Sequence, residues 1–396
     1  CLTEENKFIV TTPFYEQIYV PEDGNEVCYI EESKWNGFVS ALKDKYLGNP
    51  LNYGEFERLF METGEAYMKI AETISNSDLG NKNNKELKDL YERYLSKNIR
   101  YGSFIWIQFL INDFFADKAK QIITNKVGSD NKNLFDFIEA ALSPEKKAAS
   151  IQLNEMAVKW NKISAQEKIN AWEKFKWVPC LDIHSRPWTK EEFFSHIGDF
   201  KKVTKVQSIS YEMMLKKIKP SLEEKRILDI AKKLSYLKDL KDDFRRRGVF
   251  HGQKLFEEIA RRMGVKLEEI SYTSEAEIVG FLGKGTKIPR SVIEERKKGF
   301  VIYFTPQRKI ACKSGADIDT ALNGLGLVVF EEFSEEIKGI SSSPGKAKGV
   351  VKIVRGVSDL SKIKKGDIMI AVTTHPDYVP AMQRAAAIVT DEGGIT

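Results

Sequence analysis

The sequence predicts an α+β chain: a large, mainly helical body followed by a small β-rich segment. Three observations carry this. From about residue 34 to 283, apolar residues recur at the three- and four-residue spacing of a buried helix face. Within that region, Ser or Thr followed three residues later by Glu marks helix starts, because the two side chains can satisfy each other's free backbone N–H groups. After Ser334 glycine and valine dominate, apolar runs shorten and turn signals become frequent.

The first thirty or so residues read as extended. Phe8-Ile-Val-Thr-Thr is β-branched and leads to Pro13, and Gln17-Ile-Tyr-Val stops at Pro21-Glu-Asp-Gly, a turn signal. Phe56, Leu59, Phe60, Thr63, Tyr67, Ile70, Ala71 and Ile74 then outline one helix face, and Leu222, Ile227, Ile230, Ala231, Leu234, Leu237 and Leu240 another. Ser221 with Glu224, Thr189 with Glu192 and Ser274 with Glu277 have capping-box spacing. Breaks are expected over 75–84, 127–132 and 181–187. A short helix over 291–298 precedes Phe300-Val-Ile-Tyr-Phe304, a strand, and 316–324 reads as a connector helix. The expected organisation is an extended segment over 1–34, a helical domain over 35–330 and a small domain over 331–396, with strands near 349–354, 367–372 and 386–390.

Composition bounds the function. The chain has 396 residues, 42% of them hydrophobic and 30% charged, which is enough apolar material for a sizeable core and excludes wholesale disorder. A net charge of +5 over this length neither demands nor excludes a nucleic-acid partner. The cationic clusters, Lys216-Lys217 and the arginines at 245–247, come without a nucleic-acid motif and with Asp and Glu interleaved, which argues against one. Four scattered cysteines form no CxxC pair, and four histidines show no HExxH spacing, so neither a zinc ribbon nor a zincin is expected. The most apolar stretch, 104–111, is too short to span a bilayer, and the cysteine usage points to a reducing cytoplasm.

Chemistry concentrates at the C-terminal end. Gly339-Ile-Ser-Ser-Ser-Pro-Gly-Lys-Ala-Lys-Gly-Val-Val-Lys-Ile-Val354 reads as a tight loop feeding a strand. Lys365-Gly-Asp-Ile-Met-Ile-Ala-Val372 is a turn and a buried strand, Thr373-Thr-His-Pro-Asp-Tyr-Val-Pro-Ala-Met382 a loop and short helix, and Ala385-Ala-Ala-Ile-Val-Thr390 a further strand leading to Asp391-Glu-Gly-Gly-Ile-Thr396. A strand followed by Gly-Gly and a hydroxyl lets backbone N–H groups approach an anion, although the glycines alone equally fit an ordinary strand-to-helix turn.

In order and spacing, Ser343-Pro-Gly-Lys-Ala-Lys-Gly349, Gly366-Asp-Ile368, Thr374-His-Pro-Asp377 and Val389-Thr-Asp-Glu-Gly-Gly-Ile-Thr396 together resemble the phosphohistidine, or swivelling, domain of the phosphoenolpyruvate-utilising enzymes, which include phosphoenolpyruvate synthases and rifampin phosphotransferases. The resemblance covers about sixty residues. It implies a small β/α domain whose histidine accepts a phosphoryl group and passes it on. In that family the last Thr of the motif is followed by Ser or Cys and then the carrier His. The carrier is therefore expected just beyond Thr396, and the chain as read, truncated before it, is expected to be inactive. The resemblance further implies that Gly393, Gly394, Thr396 and Thr374 bind phosphate, whereas His375 is not the carrier. No cofactor is expected on this chain. Mg2+ and ATP or phosphoenolpyruvate are implied for a donor site elsewhere; the implied partners are an ATP-grasp nucleotide-binding domain or subunit and a small-molecule acceptor, with no membrane and no nucleic acid expected.

The helical region resembles these relatives only in texture and order. Trp172-Glu-Lys-Phe-Lys-Trp-Val-Pro179 and Lys241-Asp-Asp-Phe-Arg-Arg-Arg-Gly-Val-Phe250 carry that likeness, and a helical domain binds the phosphoryl acceptor in rifampin phosphotransferase-like proteins. Arg245, Arg246 and Arg247, with His251, are candidates for a phosphate or acceptor clamp; the alternative is a solvated helix face paired with Asp242 and Asp243. Trp106, Phe109, Phe114 and Phe115 line either an acceptor pocket or the core, and core packing is the better reading. The leading function is thus a phosphotransferase component; the alternative is a non-catalytic binding or regulatory protein that keeps the helical domain and part of the small one.

Overall fold

The computed structural model describes residues 9, 13–22, 25–197, 209–327, 339, 345–355, 357–372 and 378–390. The chain divides into two compact units, residues 1–15 with 31–293, and residues 16–30 with 294–396.

The first unit is helical: α1 (Glu32–Tyr46), α2 (Tyr53–Ser75), α3 (Asn84–Val127), α4 (Leu134–Leu142), α5 (Ala149–Lys159), α6 (Ala165–Phe175), α7 (Lys190–His196), α8 (Tyr211–Ile218), α9 (Leu222–Met263), α10 (Leu267–Ile270) and α11 (Glu275–Lys284). The breaks and capping boxes expected from the sequence are where they should be: the Ser221, Thr189 and Ser274 side chains each accept from the N–H three residues on, with the Glu reaching back. A further box, Asn83 with Glu86, starts α3.

The long helices α2, α3 and α9 pack through one aromatic core. Phe60, Tyr101 and Phe104 are fully buried in it, and Tyr67 and Tyr101 stack with ring centroids 5.4 Å apart. Glycine makes the close approach possible. A Cβ on Gly248 would lie 2.1 Å from the Tyr67 ring, and one on Gly252 would lie 2.7 Å from the Tyr94 ring. The space so released also solves the polar problem of burying phenols. Tyr67 and Tyr94 share a 2.9 Å hydrogen bond, and the Tyr101 hydroxyl donates to the Lys241 carbonyl. A second, smaller core gathers Leu153, Trp160, Phe175, Trp177 and Phe193 from α5, α6, α7 and their connections.

The second unit holds two sheets. The first joins β1 (Gln17–Glu22), β2 (Asn25–Ile30), β3 (Phe300–Phe304) and β4 (Ile310–Ser314) in the order β2-β1-β3-β4, antiparallel throughout. The helix α12 (Arg290–Lys298) precedes β3, and α13 (Asp317–Gly324) follows β4. The contacts therefore divide the chain near 293 rather than near 330, and the extended N-terminal segment is split. The physical reason is the pairing of β1 with β3, Ile18 opposite Tyr303, across almost three hundred residues of chain. The second sheet is β5 (Val351–Val354), β6 (Ile368–Ala371) and β7 (Ala387–Thr390), each within the span its glycine-punctuated sequence indicated.

Candidate functional site

The strands of the second sheet are parallel, in the order β5-β6-β7. Parallel neighbours require a crossover. A 3-10 segment, Val357–Lys362, lies between β5 and β6, and α14 (Val379–Arg384) between β6 and β7. Their register sets Val354 beside Ala371 and Ala371 beside Thr390, so all three strands end at one edge. In open parallel sheets ligands bind outside that carboxyl edge. The segments 373–377 and 391–396 follow β6 and β7 from adjacent positions on it. Thr374, His375, Gly393, Gly394 and Thr396 belong to these segments and lie outside the described residues.

The motif residues that are described build the sheet. A Cβ on Gly349 would sit 2.1 Å from the Gly366 carbonyl oxygen, so only glycine lets the chain enter β5 so close to the turn before β6. Gly366 has φ +93, open to glycine and strained for other residues. The Asp367 carboxylate is buried and accepts from the Lys364 N–H at 2.9 Å, while its carbonyl accepts from the Ala386 N–H at 2.7 Å. Gly-Asp-Ile is thus a structural signature. Arg384, which sequence reading passed over, closes the same corner: its guanidinium donates to the Ile363 and Leu360 carbonyls, each at 2.8 Å. Met369, Val354, Ile363, Tyr378 and Ala381 form the core beneath.

Residues 363–396 match the family described as PEP-utilising enzyme, mobile domain. That segment is similar to the mobile domain of the phosphoenolpyruvate-utilising enzymes. It is 62% identical over 60 residues to a probable phosphoenolpyruvate synthase of Methanocaldococcus jannaschii, covering 15% of this chain and 5% of that protein. It is 57% identical over 95 residues to a probable phosphoenolpyruvate synthase of Methanothermobacter thermautotrophicus, 24% of this chain and 13% of that one. To the phosphoenolpyruvate synthase of Pyrococcus furiosus it is 52% identical over 66 residues, 17% of this chain and 8% of the relative. The matched stretch is a small part of each relative, 13% at most among these three. The family is one of phosphotransferase-type enzymes.

Outside the mobile domain, the structure separates the candidate clamp residues instead of focusing them. Arg245 reaches Asp182 at 3.7 Å, Arg246 is buried and donates to the Val178 carbonyl, and Arg247 lies 5.8 Å from the Trp177 ring. Gln253 donates to the Ile183 and Ser185 carbonyls. The arginines therefore fasten the 177–185 connection along α9, which brings together the two stretches whose texture stood out in the sequence. The short contacts of Asp242 and Asp243 lie elsewhere: Asp242 pairs with the buried Lys241 at 3.1 Å, and Asp243 accepts from the Ala149 N–H at 2.9 Å, capping α5 from another helix, with Arg247 acting on it through charge. His251 lies edge-on to Phe250 with its Nδ1 buried and unpartnered among the described residues. Burial lowers its pKa and keeps the ring neutral near pH 7.

The four aromatics divide. Phe115 is fully buried, Phe114 packs partly buried on the main core, and Trp106 and Phe109 are 48% and 43% exposed. Among the described residues no group of three His, Cys, Asp or Glu is placed to hold a metal ion, and no helix is long and apolar enough to cross a membrane.

Proposed function

We propose that this chain is part of a phosphoryl-transfer enzyme whose mobile domain carries the phosphoryl group on a histidine following Thr396, between a separately bound ATP or phosphoenolpyruvate donor, ATP being held by an ATP-grasp domain or subunit, and a small-molecule acceptor held by the helical unit. One observation supports this most: the parallel register of β6 and β7, from whose neighbouring ends the Thr374 and Gly393-Gly394 motif segments continue.

The chemistry follows from imidazole. A neutral ring nitrogen attacks the donor phosphorus, a P–N bond forms as the P–O bond to the leaving group breaks, and the resulting phosphoramidate is reactive enough to pass the group on. The backbone N–H groups of Gly393 and Gly394 and the hydroxyls of Thr374 and Thr396 would hold the transferring oxygens, where fixed donors count most. Mg2+, implied at the donor site, supplies charge neutralisation to the donor phosphates; no described residue is assigned to it.

The test uses the full gene product with radiolabelled ATP or phosphoenolpyruvate. The expected label is acid-labile and base-stable, persists in His375→Ala, and is absent from the 396-residue chain alone. An acid-stable label, or one lost only in His375→Ala, overturns the assignment.

A further inference from the structure

The helical unit contains a cavity of about 530 Å³, in the size range of small-molecule sites. It lies among α2, α8, α9 and the connection between α4 and α5, and no candidate site residue named above lines it. Tyr211, Tyr236, Met61 and Leu237 supply apolar surface; Lys146, Lys232, Lys233, Glu57, Glu145 and Asp229 supply charge.

The charges are unequally satisfied. Glu57 meets Lys233 at 3.2 Å, and Asp229 takes both Lys225 at 2.7 Å and the Tyr211 hydroxyl at 2.8 Å. The ammonium groups have capacity left. Lys232 has three N–H donors. Among the described residues it meets one carboxylate, Glu145 at 3.1 Å, and its Nζ stands 4.1 Å from the centre of the Tyr211 ring. Glu212 acts on it through charge alone. Lys146 has no carboxylate within ion-pair distance among the described residues, and its Nζ stands 5.9 Å from the centre of the Tyr236 ring.

The Lys232–Glu145 pair is also lopsided. The Lys232 side chain is 13% exposed and that of Glu145 is 78% exposed. A nearly buried cation is thus answered by a carboxylate on a surface connection, which is already mostly in water and loses little when another carboxylate displaces it.

We propose that this cavity binds a small aromatic carboxylate. Its ring would lie against Tyr236, Met61 and Leu237, and its carboxylate would replace Glu145 on Lys232, with Lys146 closing the rim. The lining sets three ammoniums, Lys146, Lys232 and Lys233, against three carboxylates, Glu57, Glu145 and Asp229, so displacing Glu145 leaves one positive charge, which a singly charged carboxylate balances and a doubly charged phosphate exceeds. This site is independent of the phosphoryl-transfer reading and stands or falls by binding alone.

Titration calorimetry of the 396-residue chain with 2-naphthoate, 2-naphthamide and 2-naphthyl phosphate tests it. One naphthoate per chain is expected, bound at least tenfold more tightly than the neutral amide and more tightly than the phosphate. Lys232→Gln should weaken naphthoate at least tenfold. Met61→Trp, which fills the apolar floor and leaves every charge in place, should remove binding while the helical circular dichroism is kept. Equal affinity for carboxylate and amide, tighter binding of the phosphate, no saturable binding, or naphthoate affinity unchanged in both variants would overturn the proposal.

Discussion

At Gly248 one hydrogen stands where any other residue would put a methyl group 2.1 Å from the Tyr67 ring. Mid-helix glycine normally costs up to about 1 kcal/mol against alanine, and Gly37 in α1, with nothing within 4 Å of a built Cβ, shows the ordinary case. Gly37→Ala should therefore raise stability in urea by up to about 1 kcal/mol. Gly248→Ala should lower it by about 1–3 kcal/mol through overpacking. If both variants move the urea midpoint the same way, the glycine contact is not what sets the α2–α9 spacing.

Asp243 carries a second residue-scale prediction. Burial pushes its carboxyl up to about 6, against the opposing pull of the Ala149 N–H. The folded state therefore holds this proton more tightly than the unfolded chain. Its contribution to stability is full below about pH 4 and is lost as pH rises to about 6. Asp243→Asn, which keeps an oxygen for the Ala149 N–H, should flatten that part of the stability–pH profile. At pH 7 it should match or exceed the parent, by at most about 3 kcal/mol. A variant with the parent's slope would show that Asp243 is not the titrating group.

The residue scale is also where sequence reading was weakest. Three consecutive arginines look like one charged patch on paper. On a helix they point about a hundred degrees apart, and the structure sends them to a carboxylate, a carbonyl and an indole.

Elements were far more legible. Capping boxes and apolar periodicity are local signals, and α9 starts and α2 ends where those signals stop. The β5, β6 and β7 strands were readable because glycine turns bound each of them. β4 was not read, for two physical reasons. As an edge strand it buries little, with Ile310 72% exposed, and its turn has Arg308 at φ +59 where a hairpin usually shows Gly or Asn.

In the mobile domain, Gly349 is the element-scale test. In Gly349→Ala the new methyl meets the Gly366 carbonyl, which is backbone and cannot rotate away, so β5 and β6 must part locally. Hydrogen exchange at the Ile368 N–H, which donates to the Val350 carbonyl at 2.9 Å, should speed up at least tenfold. Unchanged protection there would mean that this glycine is not needed for β5–β6 pairing.

At the scale of the whole molecule, the second unit is not assembled in chain order. Its four-stranded sheet takes β1 and β2 from before the helical unit and β3 and β4 from after it. A pairing across so long an insertion leaves no local trace, which is why the division near 293 was not visible beforehand. The family resemblance was legible for the opposite reason: its motif pieces follow one another within about sixty residues, and the family match covers 363–396 of them.

The carrier assignment meets its most direct test in locating the phosphoryl group. The full gene product, phosphorylated by its donor and digested under alkaline conditions, should yield by mass spectrometry a single phosphoryl group on a histidine in the peptide that continues β7 past Thr396. Gly394→Val, whose β-branched side chain would obstruct close approach of phosphate to the backbone, should abolish it. A phosphoryl group on His375, on a histidine of the helical unit, or undiminished in Gly394→Val would contradict the assignment.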